Sequence, residues 1–458
     1  MTRSSRLPRE PTERLRPAII DRRVGAGDEQ DDMTTKLRTA KAFFRMLGPG
    51  LVTGAADDDP SGIATYSQAG AQFGYALSWT MFLTTPFMIA IQMVSARVGA
   101  VTGRGLAANL NKALPASALF GIVGLLLIAN TLNLAADIAA MGDALRLVIG
   151  GPGLVYVVAF GLASLAAEIL IPYRLYKRYL KALTLALFAY VVAAFTVRIP
   201  WGTVLAAMFL PHLAWDRDFM LMLVAIFGTT ISPYMFFWQA SLEAEEHKLR
   251  SRTKDGTAAI AKRLNDRQAR RIGLDTAAGM LLSNIIGFFI IVTTAATLHA
   301  HGKTDIATAA QAAEVLRPLA GPLTFVLFSL GIIGTGLLAA PVLAGSAAYA
   351  VAESFHWNSS LELPARRAPG FYLIVAATTI AGFLVALTPL DPIHMLFWAA
   401  VVNGVVAVSL MVAMMIVVAS RKIMGRFAAS RALMIFGWLA TALMAMVVAA
   451  IAATGFSG

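Results

Sequence analysis

Residues Ala55 to Tyr66 read AADDDPSGIATY. Three aspartates stand in a row, a proline follows at once, and both flanks are apolar enough to enter a bilayer. Inside a helix a proline removes one hydrogen bond and clashes with the preceding turn. It also pushes the residue before it, Asp59, out of helical geometry. Gly62 adds backbone freedom. The stretch therefore predicts a membrane helix that breaks over 58–62. In lipid, unwound backbone persists only where it is buried in protein or lines a cavity. Carboxylates at such depth are costly and are typically kept for an ion pathway.

The rest of the chain agrees with a bilayer setting. It has 458 residues, of which 58% are hydrophobic and 14% charged, and its mean hydropathy is +0.69. Apolar runs near the ~20 residues a bilayer core requires recur along it. Eleven spans are expected, at about 48–70, 77–100, 119–149, 154–172, 180–198, 219–246, 272–298, 319–352, 369–387, 393–419 and 432–455. With the N-terminus inside, 33 of the 38 Lys and Arg residues fall on the inner side. That asymmetry predicts a multi-pass protein of the cell (inner or plasma) membrane, with a cytoplasmic N-terminus and an outer C-terminus. The net charge of +12 is then a topology signal, and nucleic acid is not expected as a partner. The lipid bilayer is. Residues 1–41 read as a disordered basic cytoplasmic tail, and 42–458 as the membrane domain. The 247–271 loop is expected to hold a short amphipathic helix. There is no cysteine, hence no thiolate site, and no two of the six histidines make a metal pair. No nucleophile–base pair or cofactor motif is present, so neither an enzyme nor a bound cofactor is expected. The tail shows no signalling domain that would suit a metal sensor.

A second interruption answers the first. The sixth span reads IFGTTISPYMFFWQASLEAEE, with Pro233 behind Gly228, Thr229, Thr230 and Ser232. Two interrupted helices five spans apart are the pattern of an inverted-repeat transporter. One repeat covers about 48–198, the other about 219–419, and 432–455 is an extra helix. The fold expected is all-α integral membrane, eleven helices, inverted 5+5, leucine-transporter-like (APC). In such folds the ion sits at the midplane between the breaks.

Here the sequence resembles the Nramp family of divalent-metal transporters. Asp59 to Trp79, DPSGIATYSQAGAQFGYALSW, is similar to that family's first-span signature D-P-G-N-[FI]-A-T-x-x-Q-A-G-A-x-F-G-Y-x-L-L-W. Gly228 to Ser241, GTTISPYMFFWQAS, keeps the frame and proline of its sixth-span signature G-A-T-[VI]-M-P-H-N-L-Y-L-H-S. The likeness runs over 42–455, specific in these two spans and weaker elsewhere. It implies Asp59 as direct ligand, with the carbonyl of Thr229 and the side chain at Ser232. The family's metal-binding asparagine is Gly62 here and its methionine is Ser232. Tyr234 and Gln239 replace two histidines. Of the third-span acids linked in the family to proton movement, Asp137 remains, while Asn130 and Ala140 stand for the glutamates. Ala400 stands for a tenth-span glutamine, with Asn403 the nearest polar group.

These departures look like the Nramp-related magnesium transporters. A thioether favours Mn²⁺, Fe²⁺ and later metals, and its loss removes that preference. Glycine in place of asparagine leaves room for water, and Mg²⁺ sheds water reluctantly. The reading is uptake of Mg²⁺, and of Mn²⁺, as a partly hydrated ion held by Asp59. Asp57 and Asp58 are expected to hold outer-shell water and, adjacent on one helical turn, to diverge. Asp137, Tyr234, Gln239 and Asn403 are expected to line the path or relay water and protons. With most relay groups gone, obligatory proton coupling is not expected. Two other transport readings compete: a proton-coupled Mn²⁺/Fe²⁺ importer, and a Na⁺-coupled organic-solute symporter whose substrate carboxylate three aspartates would repel. A monomer is compatible with the sequence.

Overall fold

In the computed structural model the first interruption is two residues wide. The structure describes residues 49–171, 187–211, 213–250, 266–306 and 308–455. The tail 1–41, the basic residues 174–181, His212 and residues 251–265 of the long inner loop lie outside the described residues. Helix α1 (Pro49–Asp57) stops, Asp58 and Asp59 leave helical geometry, and α2 (Pro60–Phe73) begins. The break is narrower than the expected 58–62. The reason is positional. Pro60 occupies the first turn of α2, where its missing N–H would have had no partner anyway. The proline thus starts the second half instead of kinking one long helix, and Gly62 is already helical.

A tight turn at 74–77 leads into α3 (Ser78–Thr102), which ends on Gly103 in the left-handed conformation. There follow the short α4 (Leu106–Leu110), the long α5 (Ala116–Ile149), α6 (Gly153–Leu170), α7 (Phe188–Thr196) and α8 (Trp201–Phe209). The sixth span repeats the pattern of the first. Helix α9 (Arg217–Thr230) ends, Ile231 and Ser232 are non-helical, and α10 (Pro233–Arg250) opens on its own proline. Then come α11 (Asp266–Thr297), α12 (Ala309–Ala313), α13 (Thr324–Ser354), α14 (Pro369–Ala386), α15 (Pro392–Ala419) and α16 (Arg431–Gly455).

The protein is an all-α membrane protein, with no strand among the described residues. Nine of the described helical stretches are long and apolar enough to span a bilayer. Eleven were expected, and the difference has two identifiable sources. Spans one and two run through the turn at Gly74 as a single stretch, Pro60–Thr102. The fifth, 180–198, begins outside the described residues and contributes only α7. Two further differences are local. Helix α11 starts at Asp266, six residues before the expected 272, and α8 stands in a connection read as a loop, held by buried Val204.

Burial orders the helices. The apolar window of α9–α10 is 94% buried, against 28% for α6 and for α16. The broken sixth span is therefore the centre, and α6 and α16 are rim helices whose exposed Leu, Phe and Trp side chains suit a lipid surface. The broken first span packs on α11, α15, α9 and α10. Close approach is built in at Gly228 of α9. A Cβ there would lie 2.0 Å from the carbonyl oxygen of Ala400 and 2.6 Å from the nitrogen of Gly404 on α15. Only glycine lets these backbones meet.

Candidate metal site at the two helix breaks

Asp59 both ends one half-helix and starts the next. Its backbone is extended (φ −74°, ψ 172°). Its Oδ1 accepts the N–H of Gly62 at 2.8 Å, which caps α2 and satisfies one of its free donors. Its Oδ2 accepts the hydroxyl of Tyr234, on α10, at 3.0 Å. One carboxylate thus ties the first break to the second. Gly62 faces the same junction: a Cβ there would stand 3.2 Å from Thr229 Oγ1, 3.5 Å from the Asp57 carbonyl oxygen and 3.6 Å from Asp59 Oδ1. The structure brings together Asp59, Gly62, Thr229 and Tyr234.

Ser232 closes the end of its own half-helix. Its hydroxyl lies 3.0 Å from the Gly228 carbonyl and 2.8 Å from that of Thr229, and donates to this pair. These are carbonyls that the break would otherwise leave without a donor. The Ser232 oxygen keeps its lone pairs, and the Thr229 carbonyl a second one.

Asp57 and Asp58 turn away from this junction, toward α11. The Ser283 hydroxyl lies 2.6 Å from Asp57 Oδ2 and 3.0 Å from Asp58 Oδ1. They converge, contrary to the divergence expected of neighbours on a helical turn. The helix ends at Asp57, so the ~100° step between successive side chains no longer holds at Asp58. Among the described residues no three His, Asp or Glu side chains form a ready-made metal cage. A cation at the breaks would be held by one or two carboxylates with carbonyls, hydroxyls and water, which is a hard-oxygen set.

The remaining expected residues spread out. Asp137 on α5 is fully buried, neither of its oxygens has a protein hydrogen-bond partner, and Asp59 acts on it electrostatically. Asn403 on α15 is buried beside the Gly228–Gly404 contact, its Oδ1 without a protein partner. Gln239 is bound between helices: its Oε1 accepts from Gln92 of α3 at 2.6 Å and its amide donates to Thr276 of α11 at 2.8 Å. Asn130 donates to the Leu343 carbonyl and Ser346 hydroxyl of α13. Sequence reasoning missed Ser283, whose signal is the polar pair SN inside LLSNIIGFF. It also missed Asn133, buried without a protein partner between Asn130 and Asp137.

One end of the molecule is open and the other latched. A cavity of about 310 Å³ is bordered by Gln68, Asp218, Asp305 and His394 and reaches Ala64 and Ile393. Ile63 and Leu396, which border a small cavity with Pro60, are buried. At the opposite end, Glu353 of α13 accepts from Ser241 of α10 at 2.9 Å and from the backbone of Ala108 on α4 at 3.4 Å. Nearby, Tyr349 donates to Glu245 at 2.6 Å.

The divalent metal cation transporter MntH of Deinococcus radiodurans is 26% identical to this chain over 447 residues, covering 95% of each chain. MntH of Klebsiella pneumoniae (strain 342) is 28% identical over 413 residues, covering 88% of this chain and 92% of its own. In fold, the chain is similar to the Eremococcus coleocola manganese transporter solved with an aromatic bis-isothiourea compound. There the TM-score is 0.70 at 17% identity, over 90% of this chain and 87% of that one. It is also similar to MHP1, a nucleobase-cation-symport-1 family transporter, with TM-score 0.52 at 12% identity over 90% and 93%. The Nramp family model, natural resistance-associated macrophage protein-like, matches residues 50–454. Both breaks lie inside that match, and the chain belongs to the Nramp family.

Proposed function

We propose that the chain is a divalent metal cation transporter that takes up Mg²⁺, and Mn²⁺ with it, as a partly hydrated ion by alternating access. The observation that carries this is the junction of the two breaks: Asp59 bound to Tyr234, with Gly62 against Thr229. Asp59 is the direct ligand. The Thr229 carbonyl and the Ser232 oxygen complete a set without sulfur or nitrogen, which gives no advantage to softer metals. The small Gly62 leaves room for retained water. Asp57 and Asp58 add negative charge that raises the local cation concentration. Uptake runs down the ion gradient and membrane potential, with the N-terminus and the basic loops cytoplasmic and the C-terminus outside. The latched end at Glu353 is then the inner gate, and the 310 Å³ cavity the outer vestibule.

The test is uptake by proteoliposomes loaded with a Mg²⁺ dye and, separately, a pH dye. Mg²⁺ entry under a negative internal potential, with internal pH flat and Asp59→Ala inactive, supports the reading. Exclusion of Mg²⁺ with acidifying Mn²⁺ entry overturns it. That outcome belongs to a second reading, a proton-coupled Mn²⁺/Fe²⁺ importer. It draws on the names of the relatives and on Asp137, a buried carboxyl without a protein partner near Asp59.

A further inference from the structure

The aspartates at the first break face two different neighbours. Asp59 looks toward α10. Asp57 and Asp58 look toward α11 and lean on a single Ser283 hydroxyl. Each is at most 2% exposed. One hydroxyl hydrogen serves one oxygen well, and Asp57 Oδ1 has no protein partner. Among the described residues, the charges acting on this pair are those of the aspartates themselves, with no basic side chain among them. Two adjacent buried carboxylates with one donor and no counter-charge are strongly unfavourable unless a cation joins them or a proton neutralises one.

A second, independent polar group without a protein partner lies nearby. Tyr66 of α2 is 1% exposed and its hydroxyl has no protein partner. The largest side-chain charge acting on it is Asp57's. Its ring edge lies against Gly287, one turn beyond Ser283 on α11, where a Cβ would meet Tyr66 Cε2 at 2.8 Å. Two carboxylates of the first break and a serine hydroxyl of α11 therefore meet at one point, with the buried phenol of Tyr66 one turn further along α11.

We propose that this point, between the first broken helix and α11, is a second divalent-cation position, distinct from the one at Asp59 and Thr229. Its donors are all oxygen, so it takes Mg²⁺ or Mn²⁺ with water retained. Two adjacent positions of one sign repel, and a second ion arriving at Asp57–Asp58 weakens the hold of Asp59 on the first. That is the multi-ion arrangement by which binding stays favourable enough to enter yet weak enough to leave. The proposal rests on the reading of Asp59 as a cation ligand.

Equilibrium binding of Mn²⁺ to the purified full chain in detergent, read from the free-Mn²⁺ EPR signal, separates the two claims. Wild type is expected to bind two Mn²⁺ per chain. Asp59→Asn keeps one, and the double variant Asp57→Asn/Asp58→Asn keeps the other. Ser283→Ala and Tyr66→Phe, which retain every carboxylate, keep both but weaken one by about tenfold, as loss of a ligand or of a hydrogen bond to a charged group does. Mg²⁺ competes at both positions. A single ion in wild type, lost in Asp59→Asn, overturns the second position and means that the Asp57–Asp58 pair is neutralised by a proton. Two ions retained in the double variant, or unchanged affinities in both Ser283→Ala and Tyr66→Phe, overturn it as well. No Mn²⁺ bound to folded, monodisperse wild type instead overturns the reading of Asp59.

Discussion

Asparagine and alanine at position 59 separate two roles of one carboxylate. Asparagine caps a helix about as well as aspartate, so Asp59→Asn keeps the Gly62 contact and loses the charge. Alanine loses both, and a lost cap costs about 1 kcal/mol. Both variants are expected to lower uptake by roughly 100-fold or more, equivalent to ~2.7 kcal/mol of binding. Only Asp59→Ala should also lower the thermal midpoint, in a fluorescence melting curve of the detergent-solubilised protein. Equal melting of the two would deny the cap; full uptake by Asp59→Asn would deny the ligand. Ser232 makes a complementary case. Its hydroxyl sits on the Gly228 and Thr229 carbonyls, so its present role is at least partly structural. A thioether at this position restores a soft donor beside Asp59, and Ser232→Met is expected to raise the Mn²⁺-to-Mg²⁺ uptake ratio about tenfold. Competition between the two ions in one vesicle preparation measures it. An unchanged ratio would mean that the side chain at 232 does not reach the ion.

At the scale of elements, the breaks were legible because their determinants are local. Proline fixes its own backbone and that of its predecessor, and three carboxylates in an apolar run are tolerated only where a cation, a proton or water offsets their charge. The width of the break was not legible. It depends on Asp59 capping α2, a geometry that lets Gly62 rejoin the helix at once. Partners across helices were equally hidden. Nothing in LLSNIIGFF says that Ser283 will meet Asp57 and Asp58, and nothing near Gln239 says that it will join Gln92 to Thr276. The latch at the far end is of this kind. Glu353 holds three separate elements, α13, α10 and α4, through Ser241 and the Ala108 N–H. A Cβ at Gly105 would collide with its carboxylate, so the loop before α4 is moulded to it. Glu353→Gln preserves size and hydrogen bonding, and should transport within about threefold of wild type. Glu353→Ala leaves a buried hydroxyl and an N–H without their acceptor, at ~1–3 kcal/mol each. It is expected to loosen this end, seen as faster hydrogen exchange over 105–110 and 239–243. Unchanged exchange would show that other contacts hold this end together.

For the whole molecule, the decisive quantity is charge moved per ion. A divalent cation crossing ~100 mV alone gains about 4–5 kcal/mol, so no second driving ion is needed for accumulation. The buried polar groups of α5 fit that picture: Asn130 is engaged with α13, Asn133 is neutral, and Asp137 is the only carboxylate among the three. A relay that must pick up and release protons needs groups that titrate near ambient pH on both sides of the ion, and histidine is absent from both breaks. Mg²⁺ uptake into vesicles is therefore expected to rise steeply as a valinomycin-set K⁺ gradient makes the interior negative. It should fall when the gradient is reversed, and change less than about twofold when external pH moves from 7.5 to 6.0, a range in which an obligatory relay would respond. Internal pH should stay level throughout. Current in the same vesicles should correspond to two charges for each Mg²⁺ entering. Three charges per ion with internal acidification would instead assign Asp137 a travelling proton. In that event Asp137→Asn should abolish the acidification while sparing Mn²⁺ binding at Asp59.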